Sequence, residues 1–171
     1  GGAMSKQHRG IILACACLLS LTLATAALLR PATASPAGGE ALVELSDGPP
    51  LVALTFDDGP RPDTTARLLD GLALREAQAT FFLVGDYLER NPDLVRRMAE
   101  EGHIVGNHTM NHPDMSKLQN RDNFARELED MARLYQEITG QSLCKLYRPP
   151  QGIYSEENLK MARELGYHTV F

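Results

Sequence analysis

The chain has 171 residues, of which 43% are hydrophobic and 23% are charged, a composition typical of one globular domain and not of a disordered chain. It carries 17 Lys and Arg against 22 Asp and Glu, and three of the basic residues but no acidic one lie within residues 1–35. The rest of the chain is therefore clearly acidic, which argues against a nucleic-acid partner, because phosphate binding needs a basic face.

Residues 1–34 are predicted to be three extra residues before Met4, followed by a targeting segment. Lys6 and Arg9 precede an apolar run over residues 11–29, and Ala32-Thr33-Ala34 follows it. A basic start, an apolar centre and an A-x-A site are the order of a secretory signal peptide. The run is also nearly long enough to cross a bilayer uncleaved, so an N-terminal membrane anchor is the alternative. Both interpretations place the following domain outside the cytoplasmic membrane, either secreted or anchored.

Residues 35–50 are rich in Pro, Ala, Gly and Ser and are interpreted as a linker to a domain over residues 51–171. Cys15 and Cys17 lie in the apolar run and would leave with a cleaved signal. Cys144 is then the one thiol of the domain, and no disulfide framework is expected.

Apolar runs alternate with helical patterns through this domain. Strands are expected over residues 51–56, 79–84, 103–105, 143–147 and 167–171, the first of them as a buried strand. Helices are expected between them, over residues 64–75, 91–102, 121–139 and 155–165. Strands that alternate with helices predict an α/β fold with a parallel sheet or barrel.

Polar clusters follow three of the predicted strands directly. They are Asp57-Asp58-Gly59-Pro60, Asn107-His108-Thr109-Met110-Asn111-His112 and Arg148-Pro149-Pro150-Gln151-Gly152. Because functional residues of parallel α/β folds gather at the carboxyl ends of the strands, we expect these clusters to share one face.

His108 and His112 have a spacing that places both imidazoles on one face if residues 107–112 begin a helical turn. Two imidazoles and one carboxylate form a three-ligand set for a divalent metal with positions left open. A turn after the first strand could bring both Asp57 and Asp58 to the same pocket, one as a ligand and one as a general base. The alternatives are two surface histidines near a helix start and a plain Asp-Asp-Gly-Pro turn.

In order, spacing and predicted local structure, these clusters resemble the first three motifs of the NodB-homology polysaccharide deacetylases, carbohydrate esterase family 4. The resemblance covers residues 51–171 and implies a distorted (β/α) barrel. It implies Asp57 as the catalytic base, oriented by Arg148, and a single divalent metal held by Asp58, His108 and His112. Zinc is favoured, with cobalt, manganese or nickel as alternatives. The resemblance also implies a substrate groove lined by Pro149, Pro150 and Gln151, with the Gln151 backbone amide helping to hold the oxyanion.

The implied activity is hydrolysis of N-acetyl groups from cell-wall polysaccharide. Gln151 stands where many members of the family carry tyrosine, and residues 147–165 are similar to the branch of delta-lactam-forming peptidoglycan deacetylases. That branch often departs from Asp-Asp-Gly-Pro, which this chain keeps. Peptidoglycan is therefore the favoured substrate, with the acetyl groups of muramic acid and glucosamine both open.

Two later motifs of the family, a D-x-x-D-W type and an L-x-H whose histidine acts as general acid, are not present in this sequence. We therefore expect a domain that is truncated at its C-terminus, lacks the last strands of the barrel and is inactive or impaired on its own. His168 is interpreted as structural and not as a replacement acid. The alternative function is a non-catalytic glycan-binding remnant, and no oligomeric state is predicted.

Overall fold

A computed structural model describes residues 52–171, and the predicted targeting segment and linker lie outside these residues. The described part contains five short strands, here named in chain order. They are β1 (Thr55–Gly59), β2 (Thr80–Leu83), β3 (Ile104–Asn107), β4 (Leu146–Tyr147) and β5 (His168–Thr169).

The strands form one sheet in the order β1-β2-β3-β4-β5, and every neighbouring pair is parallel. Helices cross between them: α1 (Thr65–Ala73), α2 (Gly85–Arg90) and α3 (Pro92–Glu100), α4 (Arg121–Thr139) and α5 (Glu156–Glu164). Parallel strands laid down in chain order with helical crossovers are the architecture of a (β/α) barrel. The expected α/β class is confirmed.

The first strand differs from its prediction in place and burial. It was expected over residues 51–56 as a buried strand, but it covers Thr55–Gly59, and Thr55, Asp57 and Asp58 are exposed. Among the described residues β1 pairs with β2 alone, so it has the exposure of an edge strand. Only Phe56 stacks into the fold, against Phe81 at 5.4 Å between ring centroids.

Helix α2 was not predicted, because six residues are too few to show a helical period. The helix expected to begin after Asn91 does so, with Pro92 at its first position. The Asn91 side chain does not cap it; its amide donates instead to the carbonyl oxygens of Pro60 and Tyr87, at 3.2 and 3.0 Å.

The longest helix, α4, has the ends that the sequence predicts. The Asn120 side chain accepts hydrogen bonds from the first-turn amides of Asp122 and Asn123. At its other end Gly140 adopts a left-handed φ of 72°, which favours glycine.

Two apolar clusters hold the helices on the sheet. One packs α1, α2, α3 and the second half of α4 against β2 and β3. The other packs the first half of α4 and α5 against β4. Phe81 and Phe82 are 2% and 1% exposed, so they belong to the core. No helix within residues 52–171 is both long and apolar enough to cross a membrane.

Candidate active site

The end of β1 and the turn after β3 bring three predicted metal ligands together. Asp58 Oδ1 lies 3.4 Å from His108 Nε2 and 3.1 Å from His112 Nε2. Ligand atoms about 2.0–2.1 Å from a tetrahedral zinc lie about 3.3 Å apart, so the observed separations fit such an ion. Within residues 52–171 this is the one group of three His, Cys, Asp or Glu side chains whose potential ligand atoms all lie within 4.8 Å of one another.

A hydrogen bond to the backbone fixes the tautomer of His108. Its Nδ1 lies 2.7 Å from the carbonyl oxygen of Arg148, which can only accept, so Nδ1 carries the proton. The lone pair is then on Nε2, the atom that faces Asp58. Burial lowers the pKa of His108, which favours the neutral, metal-binding form.

The residues between the histidines do not form the helical turn on which the shared face of the two imidazoles was conditional. Thr109 and His112 have φ angles of 73° and 55°, in the left-handed region that a β-branched residue rarely adopts. The backbone N–H of Thr109 donates to Asn107 Oδ1 at 2.9 Å, and that of His112 donates to Thr109 Oγ1 at 3.0 Å. These side-chain acceptors replace the helical carbonyl acceptors, and the two rings still converge, at 5.0 Å between centroids.

Left-handed backbone is concentrated at this site. Of the five non-glycine residues with positive φ in residues 52–171, four are at the site: Asp58, Thr109, His112 and Gln151. Each non-glycine residue in this conformation reduces the free energy of unfolding by about 1–3 kcal/mol. Strained residues of this kind cluster at functional sites.

The two neighbouring aspartates reach the same cavity by an irregularity in β1. The register with β2 shifts between Asp57 and Gly59, and Asp58 has a φ of 63°. Asp57 Oδ1 accepts a hydrogen bond from Arg148 Nη1 at 2.8 Å, and the same nitrogen donates to Thr55 Oγ1 at 3.1 Å. The Arg148 guanidinium also lies 4.2 Å from the centroid of the Phe82 ring. Arg148 therefore holds the Asp57 carboxylate in one orientation beside the three-ligand cluster.

A cavity of about 540 Å³ is lined by both aspartates, both histidines and Arg148. Its lining residues are Thr55, Asp57, Asp58, His108, His112, Arg148, Pro149, Gln151, Gly152 and Phe171. Pro150, predicted to line the groove, is buried and is not among the lining residues, because it begins the short 3₁₀ turn that brings Gln151 and Gly152 to the cavity. His168 is exposed on β5 and lies outside this lining.

The sequence prediction gave no role to three residues that shape the site. Thr55 lies two residues before Asp57, and the two-residue period of a strand could have indicated that both face one side. Asn107 and Glu127 contact the histidine turn through side-chain hydrogen bonds. No sequence signal marks Glu127, which lies among other charged residues of α4.

Comparisons with known proteins show the family of the chain. The family model described as polysaccharide deacetylase matches residues 45–170, so the chain belongs to that family. It is 39% identical over 120 residues to the peptidoglycan-N-acetylmuramic acid deacetylase PdaA of Bacillus subtilis, covering 70% of this chain and 45% of that protein. It is 41% identical over 123 residues to a chitooligosaccharide deacetylase of Sinorhizobium fredii, covering 72% and 57% respectively.

Solved structures share the fold. A family 4 carbohydrate esterase from Bacillus anthracis matches with a TM-score of 0.66 and 40% identity, covering 70% of this chain and 57% of that one. A family 4 pseudoenzyme from the same organism matches with a TM-score of 0.64 and 27% identity, covering 70% and 42%. The chain spans about half the length of the curated relatives it matches.

Proposed function

We propose that this chain is the metal-binding portion of an extracytoplasmic deacetylase that removes N-acetyl groups from peptidoglycan. The observation that supports this most strongly is the placement of the Asp57–Arg148 pair in the same cavity as the cluster of Asp58, His108 and His112. Hydrolysis of an amide needs an electrophile for the carbonyl and a base for the attacking water, and the cavity offers a residue set for each.

Asp58, His108 and His112 are the residues proposed to hold a divalent metal, with zinc as the proposed ion. Their donor set of one carboxylate and two imidazoles suits zinc and leaves positions open. When bound, such an ion supplies Lewis acidity that polarises the acetamide carbonyl and lowers the pKa of water.

Asp57 is proposed to accept the proton of the attacking water. Its second carboxylate oxygen, Oδ2, has that role, because Oδ1 accepts the hydrogen bond from Arg148. Arg148 keeps the carboxylate in place, and the Gln151 backbone N–H is proposed to donate a hydrogen bond to the oxygen on which negative charge develops. The left-handed φ of Gln151, 58°, sets the direction of that amide.

Peptidoglycan is the proposed substrate because one of the similar proteins acts, by its name, on peptidoglycan N-acetylmuramic acid. The similar chitooligosaccharide deacetylase is, by its name, a deacetylase of a different glycan. Residues 1–34 are proposed to export the chain, as a cleaved signal or as a membrane anchor, which would bring the domain to the cell wall.

A glycan-binding remnant without turnover is the second candidate function. Among residues 52–171 the cavity lining holds His108 and His112 but no further imidazole that could protonate a departing amine. The likeness in fold to a family 4 pseudoenzyme is compatible with this alternative.

The deciding experiment measures acetate released from purified peptidoglycan by the full-length deacetylase of which this chain is the proposed portion, with added zinc, cobalt, manganese or nickel. We expect release with zinc, and Asp57→Asn to lower it by at least about 100-fold, because the general base is lost. Metal content should be unchanged in that variant. The matched control is Asp63→Asn, at an exposed position outside the cavity lining.

Full acetate release by Asp57→Asn would contradict its role as base. Metal binding without release, together with retention of peptidoglycan fragments, would favour the remnant. His108→Ala and His112→Ala should each lose bound metal, and stoichiometric metal in both variants would refute the three-ligand site.

A further inference from the structure

The turn that carries His108 and His112 is held by α4 as well as by β3. Glu127, in the second turn of α4, makes three hydrogen bonds to it. Its backbone oxygen accepts from the Met110 N–H at 2.9 Å. Its carboxylate accepts from the backbone N–H of Asn111 at 2.9 Å, through Oε2, and from the Asn111 side-chain amide at 2.8 Å, through Oε1.

The bidentate contact falls at the residue directly before a metal ligand. Asn111 precedes His112, whose backbone is left-handed and whose N–H is already used by Thr109 Oγ1. The carbonyl oxygens of Thr109 and Met110 in turn accept hydrogen bonds from the first amides of α2. Hydrogen bonds to both α2 and α4 thus hold the backbone of the turn. The Glu127 carboxylate fixes Asn111, the residue directly before His112.

We propose that Glu127 is a positioning residue of the metal centre. By fixing Asn111 at two points, its carboxylate determines where His112 presents Nε2, 3.1 Å from Asp58 Oδ1. Hydrogen bonds to an ionised carboxylate are the stronger kind, and two parallel bonds also restrict orientation. The inference rests on the proposed function only in that a metal must bind at Asp58, His108 and His112.

The placement of Glu127 distinguishes this role from support of the fold. Helix α4 is anchored by buried apolar side chains at other positions: Phe124, Ala125, Leu128, Met131 and Tyr135. Glu127 itself is only half-buried, and its contacts with Asn111 are on the exposed side of the turn. Loss of the carboxylate therefore leaves the packing of α4 intact while releasing Asn111.

The test compares Glu127→Gln and Glu127→Ala with the unmodified full chain, using Co²⁺ and Zn²⁺ as the probes. Zn²⁺ affinity is measured by competition with a chromophoric chelator, and the Co²⁺ visible spectrum reports ligand geometry. Thermal unfolding of the metal-free proteins is recorded in parallel. Glu129→Gln is the control, since Glu129 is an exposed glutamate of the same helix, two residues further on.

We expect Zn²⁺ affinity to fall by about 10–100-fold in Glu127→Ala, the range found for residues that orient metal ligands, and by less in Glu127→Gln. The Co²⁺ spectrum should change in both, whereas metal-free unfolding and the Glu129→Gln control should not. Unchanged Zn²⁺ affinity in Glu127→Ala would overturn the proposal. So would a fall in metal-free stability with an unaltered Co²⁺ spectrum, which is the result of a purely structural role.

A double-mutant cycle with Asn111→Ala tests the route. If Glu127 acts through Asn111, the double variant should lose no more Zn²⁺ affinity than either single variant, because the two residues form one interaction. Additive losses would overturn it. The test of Glu127 is independent of the test of activity. A full-length protein that binds Zn²⁺ but releases no acetate would refute the proposed activity, while the effect of Glu127 on metal affinity would stand.

Discussion

Tyr147 and Tyr167 are both buried, but their hydroxyl groups differ. The Tyr167 hydroxyl accepts a hydrogen bond from Asn107 Nδ2 at 3.1 Å, whereas the Tyr147 hydroxyl has no hydrogen-bond partner among the described residues. Tyr167→Phe should therefore lower the free energy of unfolding by about 0.5–1.5 kcal/mol. Tyr147→Phe should leave it unchanged or raise it, because an unsatisfied polar group is removed. Urea unfolding of both variants is the measurement, and a larger loss in Tyr147→Phe would contradict the assignment.

Burial raises the pKa of both tyrosines above the ordinary value of 10. The folded state then binds their protons more tightly than the unfolded state does. The stability that this provides is complete below pH 10 and is lost as the pH rises further. Unfolding free energies between pH 8 and pH 11 should fall at the alkaline end, and less steeply in Tyr147→Phe than in the unmodified chain. An equal slope in both proteins would contradict the prediction.

Residue types and spacing were sufficient to predict which side chains meet at the site, because Asp57, Asp58, His108, His112 and Arg148 all line one cavity. The backbone that presents them was not predictable in the same way. Residues 107–112 do not form a helical turn, because Asn107 and Thr109 offer side-chain acceptors to the backbone. The competition between side-chain and carbonyl acceptors depends on side-chain geometry. The spacing of two histidines does not predict that geometry.

At the scale of elements, α2 can lie close to the histidine turn because its first residue, Gly85, has no side chain. Gly85 donates its N–H to the Thr109 carbonyl oxygen at 3.0 Å. A Cβ at Gly85 would lie 3.0 Å from Met110 Cα and 3.1 Å from its carbonyl oxygen, so α2 and the histidine turn could not both keep their positions. The sequence pattern missed α2 altogether, since a helix of this length is held by such contacts and not by an apolar period.

Gly85→Ala should consequently destabilise the fold by about 1–3 kcal/mol, the usual cost of overpacking. It should also weaken Zn²⁺ binding, because the turn between the ligands must shift. Gly71→Ala is the matched control in α1, where the nearest atom to a new Cβ is 3.9 Å away. That change should stabilise the protein by about 0.5–1 kcal/mol through helix propensity. Urea unfolding and chelator competition measure both effects, and equal behaviour of the two variants would refute the steric argument.

At the scale of the whole molecule, the alternation of apolar runs and helical patterns was enough to predict a parallel sheet, because βαβ crossovers leave few arrangements. The burial of β1 was predicted wrongly. An apolar run indicates a strand, but it does not indicate how many other strands pair with it. Strand β1 nevertheless carries both aspartates, and the histidines come from the turn after β3, two strands away in the sheet. The proposed metal would join these two parts of the chain.

Because the proposed metal binds the folded arrangement of Asp58, His108 and His112, it should stabilise the whole domain. A ligand at 100 times its dissociation constant adds about 2.7 kcal/mol to the free energy of unfolding when it does not bind the unfolded chain. Added Zn²⁺ should raise the unfolding temperature, and a chelator should reverse the rise. In His108→Ala the Zn²⁺-dependent increment should disappear, whereas His168→Ala, at an exposed position outside the cavity, should retain it. An increment of the same size in His108→Ala would mean that Zn²⁺ stabilises the protein from some other place.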